Sequence, residues 1–508
     1  MARSIRFCMM GHGSARARRS GFGSRTLAAA LAVLSLSGCF SLKDLSHRTA
    51  DAPETAWTAP PAASKSLPKP APAQIPAALR ESGRKWSLLD LVDVGLVNNP
   101  QTKAAWNSAL ASSAGVDIAL ALYFPNVSLG GEGTKTRGSA IGGRFTFNYS
   151  SLDLNASLNY LLLDFGGRAA GVQAARQALY AANWTQNSVI QSVILLIEQN
   201  YYSYLSSEAL VAADQTSLKE AEAGLDAADT RHRAGVATIA DVLQARAAVA
   251  QARLNLISDQ GAAQTFHGAL ASSIGLPAET PLELADELPS SLPLDVISEG
   301  VEKYIADAQA SRPDLAAARA KVLEAQANIR SVRSAGLPTI TGIGSYDRIY
   351  YKGIPNPANN YALSLSLSIP VTGGIANRYR VLQAEAEAKI AQAQMEQTAQ
   401  GVILQVWRSY FSLKTAAERI QTALSLLATA EQSYKVSTES YRRGVQDILE
   451  LLAAQNTLES ARVQLVQART DWLLSLAQFA HDTGALGKPD KTPAWPLPVP
   501  PKKGDRVP

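Results

Sequence analysis

Between residues 152 and 162 apolar and polar side chains alternate. Leu152, Leu154, Ala156, Leu158, Tyr160 and Leu162 are separated by Asp153, Asn155, Ser157 and Asn159. The same alternation returns as Leu363, Leu365, Leu367 and Ile369, separated by Ser364, Ser366 and Ser368. A period of two places each set on its own face of a sheet. The pattern predicts four strands, over 125–135, 144–164, 338–351 and 360–371. Turn residues separate each pair, Gly138, Gly142 and Gly143 in the first and Gly353, Pro355 and Pro357 in the second. In the second strand the apolar phase slips from odd to even positions near Ser150, which predicts a bulge there. Elsewhere apolar positions recur at helical spacing. No proline interrupts Gly167 to His232 or Ile375 to Arg443. At about 1.5 Å per residue each stretch reaches on the order of 100 Å. Shorter helices are predicted over 87–122, 238–274, 300–336 and 447–484. Stacked end to end, they match the long ones in length.

The chain repeats this order. Asn99-Pro100 opens a helical stretch that ends at Phe124-Pro125-Asn126-Val127. Arg312-Pro313 opens another that ends at Leu337-Pro338-Thr339-Ile340, and each proline of the second half lies 213 residues after its counterpart. Gly166-Gly167 corresponds to Gly373-Gly374, and Arg233-Ala234-Gly235-Val236 to Arg442-Arg443-Gly444-Val445. Each half therefore reads helix, strand pair, Gly-Gly break, very long helix, Gly-Val turn, long helix. The halves span 86–299 and 300–486.

One face of each strand pair is apolar and the other small and polar. That suits a barrel facing lipid outside and water inside, and equally a soluble antiparallel sheet with one wet face. Aromatic residues favour the barrel. They make up 6% of the chain, yet Phe145, Phe147, Tyr149, Tyr160, Phe165, Tyr346, Tyr350, Tyr351 and Tyr361 lie in or beside the strands, as interfacial girdles would. Four strands cannot close a transmembrane barrel, and hydrocarbon does not tolerate an open edge. Either the strands lie outside the membrane or several chains pool them.

Composition changes the picture mainly at the ends. The chain has 508 residues and a formal net charge of +5, which would suit a polyanion partner. Arg3, Arg6, Arg16, Arg18, Arg19 and Arg25 all precede Cys39, with no acidic residue among them, and the rest of the chain is nearly neutral. The charge thus belongs to a targeting segment, and no nucleic-acid surface is expected. A short apolar run from Leu27 ends in Leu36-Ser37-Gly38-Cys39, which resembles the bacterial lipoprotein box. On that reading residues 1–38 are a signal peptide and Cys39 is the lipidated (palmitate-bearing) N-terminus; an ordinary signal peptide with an incidental cysteine is the plainer alternative. Phe40 follows, so the aspartate that retains many such lipoproteins in the inner membrane is absent. Residues 39–85, with Pro60, Pro61, Pro68, Pro70, Pro72 and Pro76, read as an extended tether, and 487–508 as a Pro-rich tail. Cys8 lies in the leader, so no disulfide is expected. The five histidines lack ligand spacing, so no metal or other cofactor is expected.

The tandem repeat, the helix-to-strand prolines, the Gly-Gly exits and the turn before Ala240-Asp241-Val242-Leu243 resemble the TolC-type outer-membrane factor family, over about residues 85–485. The lipoprotein box resembles its lipoprotein branch of efflux channels. The resemblance implies a mainly α fold with a small β part. A long α-helical barrel, coiled-coil in its packing, joins four strands per chain that contribute to a trimeric 12-stranded transmembrane β-barrel. It implies a homotrimer in the outer membrane with a periplasmic extension. Its partners would be a periplasmic membrane-fusion (adaptor) protein and an inner-membrane pump or ATP-driven exporter. Adaptor contact carries over to Gly235, Val236, Gly444 and Val445, although turn chemistry alone also explains the glycines. The family's tunnel-closing residues fall on Asp241, Tyr441 and Glu450. A second family acid falls on Ala453 and the family arginine on Gln446, so Arg442 or Arg443 is the candidate substitute. Asp241 and Glu450 are candidates for a negatively charged, cation-selective constriction. A solvated helix face is the bland alternative.

Transport of this kind needs no nucleophile, and no catalytic set or phosphate loop is evident, so no enzyme is expected. The leading function is the exit duct of a tripartite efflux system. The alternatives are the duct of a type I protein secretion system and a pore-less, periplasm-bridging coiled-coil lipoprotein.

Overall fold

The computed structural model describes residues 85–371 and 373–486. The expected signal peptide, lipidation at Cys39, the tether up to residue 84 and the C-terminal tail lie outside the described residues. The described chain runs α1 (Leu88–Asn98), α2 (Pro100–Ala121), β1 (Asn126–Ala140), β2 (Phe145–Leu163), α3 (Gly167–Arg233), α4 (Ile239–Ser273), α5 (Val301–Ser311), α6 (Pro313–Ser334), β3 (Thr339–Tyr351), β4 (Ala358–Ser368), α7 (Gly373–Arg442) and α8 (Ile448–Asp482).

The two long helices have 67 and 70 residues and form where the proline-free stretches predicted them. Of the four shorter stretches, 238–274 and 447–484 form single helices, α4 and α8, whereas 87–122 and 300–336 are each two, α1–α2 and α5–α6. The reason is local. The residue before a proline is driven out of helical geometry, and Asn99 and Arg312 are both extended, with φ −61° and −68°. Each break is tied to the end of a neighbouring helix. Asn99 donates from Nδ2 to the Ser273 carbonyl at 3.0 Å. Buried Arg312 donates from Nη1 to the Asp482 carbonyl at 3.1 Å and pairs with Asp314 at 2.6 Å. Opposite each break, α4 and α8 end in glycines of positive φ, Gly275 and Gly484.

The halves interlock. α3 packs on α1, α2 and α4 of its own half and on α6 and α8 of the other. One apolar cluster joins Leu91 and Val94 of α1, Val193, Ile197 and Tyr201 of α3, and Leu270 and Ile274 at the end of α4. Its counterpart joins Leu413 and Ile420 of α7 to Leu465, Trp472 and Phe479 of α8. Small residues let the long helices approach closely: Ala170, Ala174, Ala181, Ala221, Ala228 and Ala430 are all buried.

The strands form one antiparallel sheet in the order β1-β2-β3-β4. β1 extends to Ala140, beyond its expected end at 135. The β1–β2 register runs unbroken through Lys135↔Ser150, so no bulge lies at Ser150. The irregularity lies at Leu161/Leu163, in the β2–β3 pairing. No helix among the described residues is long and apolar enough to cross a membrane.

Candidate functional site

The register assigns every strand residue to a face. One face joins Glu132 to Asp153, Gly130 to Asn155 and Ser128 to Ser157, and continues through Asn155↔Asp347 and Asp347↔Asn360. Ser128 and Ser157 share a 2.6 Å hydroxyl contact across it. Its hairpin end carries Phe147, Tyr149 and Tyr351, with ring centroids 6.1 Å and 5.8 Å apart along the series. Phe145, Phe147 and Tyr149 thus share the parity of the polar residues. That accounts for the apolar phase slip in β2 without a bulge.

The other face carries Val127, Leu129, Leu152, Leu154, Leu158, Tyr346, Tyr361, Leu363, Leu365 and Leu367. These side chains are exposed, Tyr361 and Leu363 at 87% and 86%. So broad an apolar surface calls for a nonaqueous neighbour. β1 and β4 are edge strands with one side of each backbone unpaired in the chain.

At the far end of the helices two turns come together. α3 ends at Gly235 (φ +77°) and α7 at Gly444 (φ +79°). Val236 N–H returns to the Arg231 carbonyl at 3.0 Å and Val445 N–H to that of Ser440 at 2.9 Å, the bonding that closes a helix on a glycine. Val236 and Val445 project into solvent. The next helices start on side-chain caps. Thr238 and Asp241 form a capping box at 3.0 and 3.3 Å, and Asp447 accepts from Glu450 N–H at 3.1 Å. Beneath the turns Ala228, Val242 and Ala245 pack against Tyr441, Ile448 and Leu451, so both hairpins of one chain share a tip core.

Of the expected aperture residues, Tyr441 is 2% exposed and lies within electrostatic range of Asp241. Burial raises its phenol pKa above the usual value, Arg231 opposes the rise and Asp241 adds to it. Arg442 ion-pairs at 3.4 Å with Glu439 on its own helix. Arg443 and Glu450 are exposed. The residue that sequence reasoning missed is Arg231, in the last turn of α3. Its guanidinium stacks over the Tyr441 ring at 4.6 Å, and its Nη1 donates to the Tyr441 carbonyl. The acids of the polar sheet face, Glu132, Asp153 and Asp347, were missed as well.

Higher on the helices, Arg462 of α8 grips Glu220 of α3 through two hydrogen bonds of 2.7 and 2.8 Å. Arg253 approaches Glu222 at 3.7 Å, and Arg469 donates to the Ser290 carbonyl at 3.1 Å. Asp214 is buried between helices; burial first, then the charges of Asp259 and Glu459, push its carboxyl pKa up to about 6.

The model of the family described as "Outer membrane efflux protein" matches residues 91–276 and 304–485, one segment in each half. The chain belongs to the outer membrane efflux protein family. Its relatives include Protein CyaE of Bordetella pertussis, 29% identical over 79% of this chain and 85% of that protein. A probable efflux pump outer membrane protein, TtgC of Pseudomonas putida, is 26% identical over 88% of this chain and 93% of that one. Among solved structures, the outer-membrane channel OprN superposes with a TM-score of 0.72 at 20% identity, over 78% of this chain and 89% of that one. The fold is therefore that of this family of trimeric outer-membrane channels, in which four strands per chain contribute to the barrel and long helices continue it. The apolar sheet face is the lipid-facing one, and the polar face lines the lumen.

Proposed function

We propose that the chain is the exit duct of a tripartite efflux system. A homotrimer, anchored by lipid on Cys39, receives small molecules from an inner-membrane pump through a periplasmic adaptor and releases them across the outer membrane. One observation carries this reading: a four-stranded sheet with an apolar face, a polar face and two unpaired edges, continuous with helices of about 100 Å. A sheet of that kind reaches a stable state in a bilayer only by joining its edges to those of other copies. The joined wall then encloses water along its polar face. Among the named relatives, TtgC carries an efflux role in its name, which puts efflux ahead of polypeptide secretion. The adaptor is assigned to Gly235, Val236, Gly444 and Val445, because the two valines project from fixed turns at the helical ends. Nothing in this role calls for catalysis.

Heating the purified mature protein in detergent tests the reading, with single-channel recording in planar bilayers alongside. A heat-sensitive trimer that conducts is expected; a monomer, or a trimer without current, overturns the duct. Val236→Cys and Val445→Cys, carrying a photocrosslinker in intact cells, should capture a periplasmic adaptor. A conducting trimer that captures none removes the adaptor assignment alone.

A further inference from the structure

Six charged side chains lie in the four strands: Glu132, Lys135, Arg137, Asp153, Asp347 and Arg348. The register sorts them completely by sign. Glu132, Asp153 and Asp347 fall on the polar face. Lys135, Arg137 and Arg348 fall on the apolar face, opposite Ser150, Asn148 and Leu154. Asp347 and Arg348 are neighbours in sequence and still point to opposite sides.

The cations are also sorted by height. From Leu163 to Leu152 the lipid-facing side of β2 and its neighbours is apolar, apart from Arg348 near its upper end. The eleven steps between them at about 3.4 Å, tilted by roughly 40°, span a little under 30 Å of bilayer normal. Lys135 and Arg137 lie beyond that band, toward the 141–144 hairpin turn and away from the helices. Arg348 lies two residues from Tyr350, with its guanidinium over the Tyr350 ring at 5.5 Å. A cation on an aromatic at the edge of the band suits the headgroup level, where a lipid-facing charge costs little. All three cations are exposed, and none makes an ion pair with a described residue.

We infer that Lys135, Arg137 and Arg348 form a cationic crown on the outward face of the barrel that binds the phosphate groups of outer-leaflet glycolipid headgroups. The inference rests on the proposed trimeric barrel, which fixes the face that meets lipid. Charge complementarity identifies the occupant. Two cations above an apolar wall and a third at its upper edge, none of them ion-paired with a described residue, meet an anionic headgroup and its acyl chains together. A soluble anion would use the cations and leave the apolar wall unused.

The test uses detergent-solubilised trimers mixed with micelles of lipid A bearing both phosphates, or of the same lipid after its phosphates are removed. The phosphorylated lipid should raise the temperature of trimer dissociation by roughly 5 °C. The rise should shrink as salt goes from about 0.05 to about 0.5 M. The Lys135→Gln/Arg137→Gln/Arg348→Gln variant should lose most of it, and Lys135→Arg/Arg137→Lys/Arg348→Lys should keep it. An equal rise with the dephosphorylated lipid, the same rise from inorganic phosphate, or a full rise in the glutamine variant overturns the crown. Should the glutamine variant not assemble, the salt series and the two lipids on the wild type decide. Single-channel recording on the same preparations separates the two levels. Conducting trimers indifferent to lipid phosphate remove the crown alone, whereas a wild type without conducting trimers removes the barrel and the crown together.

Discussion

Tyr441 is almost fully buried, yet its hydroxyl has no hydrogen-bond partner among the described residues. What holds it is Arg231, which stacks on the ring and bonds to the main chain behind it. The contact joins residues 210 positions apart and ties one hairpin tip to the other. Its two parts can be separated. Tyr441→Phe removes an oxygen that bonds to nothing, so conductance and trimer stability should change little. Arg231→Ala removes the stack and the main-chain bond together, and should loosen the tip and raise single-channel conductance by roughly twofold or more. Equal effects of the two substitutions would rule out the stack as the clamp. Arg231 escaped sequence reasoning because helical periodicity reports on a residue's own helix. Its partner is set by how two distant hairpins pack. The clue available was its place in the last turn of a long helix, four residues before a turn glycine.

Among the elements, the helical hairpins show what local chemistry can and cannot encode. Proline-free length and turn glycines marked the long helices almost to the residue. The breaks at Asn99 and Arg312 were also marked, by the prolines that follow, although a continuous apolar period hides them. β1 was underestimated because Gly138 was taken as a turn residue, whereas it lies within the strand opposite Phe147. The expected bulge at Ser150 failed for a related reason. The aromatics at 145–149 were counted as lipid-facing, but they lie on the lumenal side at the hairpin end. Two glycines of similar φ then separate strain from packing. Around Gly235 (φ +77°) a Cβ would meet open space, whereas at Gly275 (φ +77°) it would lie 2.9 Å from the Asn98 main chain. Gly235→Ala should cost roughly 1 kcal/mol, from backbone strain alone. Gly275→Ala adds a collision with the α1–α2 break and should cost about 2–3 kcal/mol or more. Thermal loss of helical circular dichroism should rank the two in that order, and equal midpoints would contradict the packing argument.

At the scale of the whole molecule, acidic side chains gather in two places, the polar face of the sheet and the helical tips, where charge would act by different physics. The barrel lumen holds Glu132, Asp153 and Asp347, and Glu132 faces Asp153 directly across the ladder, a like-charge pairing that weakens a sheet. No basic strand residue shares that face. The helical tips hold Asp241 and Glu450, one in a capping box and one exposed. Wall charges in a wide barrel reach the permeating ion only over a Debye length, about 10 Å at 0.1 M salt and about 3 Å at 1 M. Charges at a constriction act at contact distance, where salt screens little. Cation preference should therefore have two components. Replacing the barrel acids by Glu132→Gln/Asp153→Asn/Asp347→Asn should lower the cation-to-anion permeability ratio in about 0.01 M salt and leave it nearly unchanged at about 1 M. Asp241→Asn/Glu450→Gln should lower the ratio at both concentrations if the tips form the constriction. Reversal potentials in planar bilayers under a potassium chloride gradient read both. A tip variant with the wild-type ratio at high salt would take Asp241 and Glu450 out of the selectivity path and leave the barrel acids as its source. The sheet parity that places those acids together is present in the sequence, but only once each strand's register is fixed. A ladder slipped by one residue would have put Asp153 into lipid and Leu154 into water.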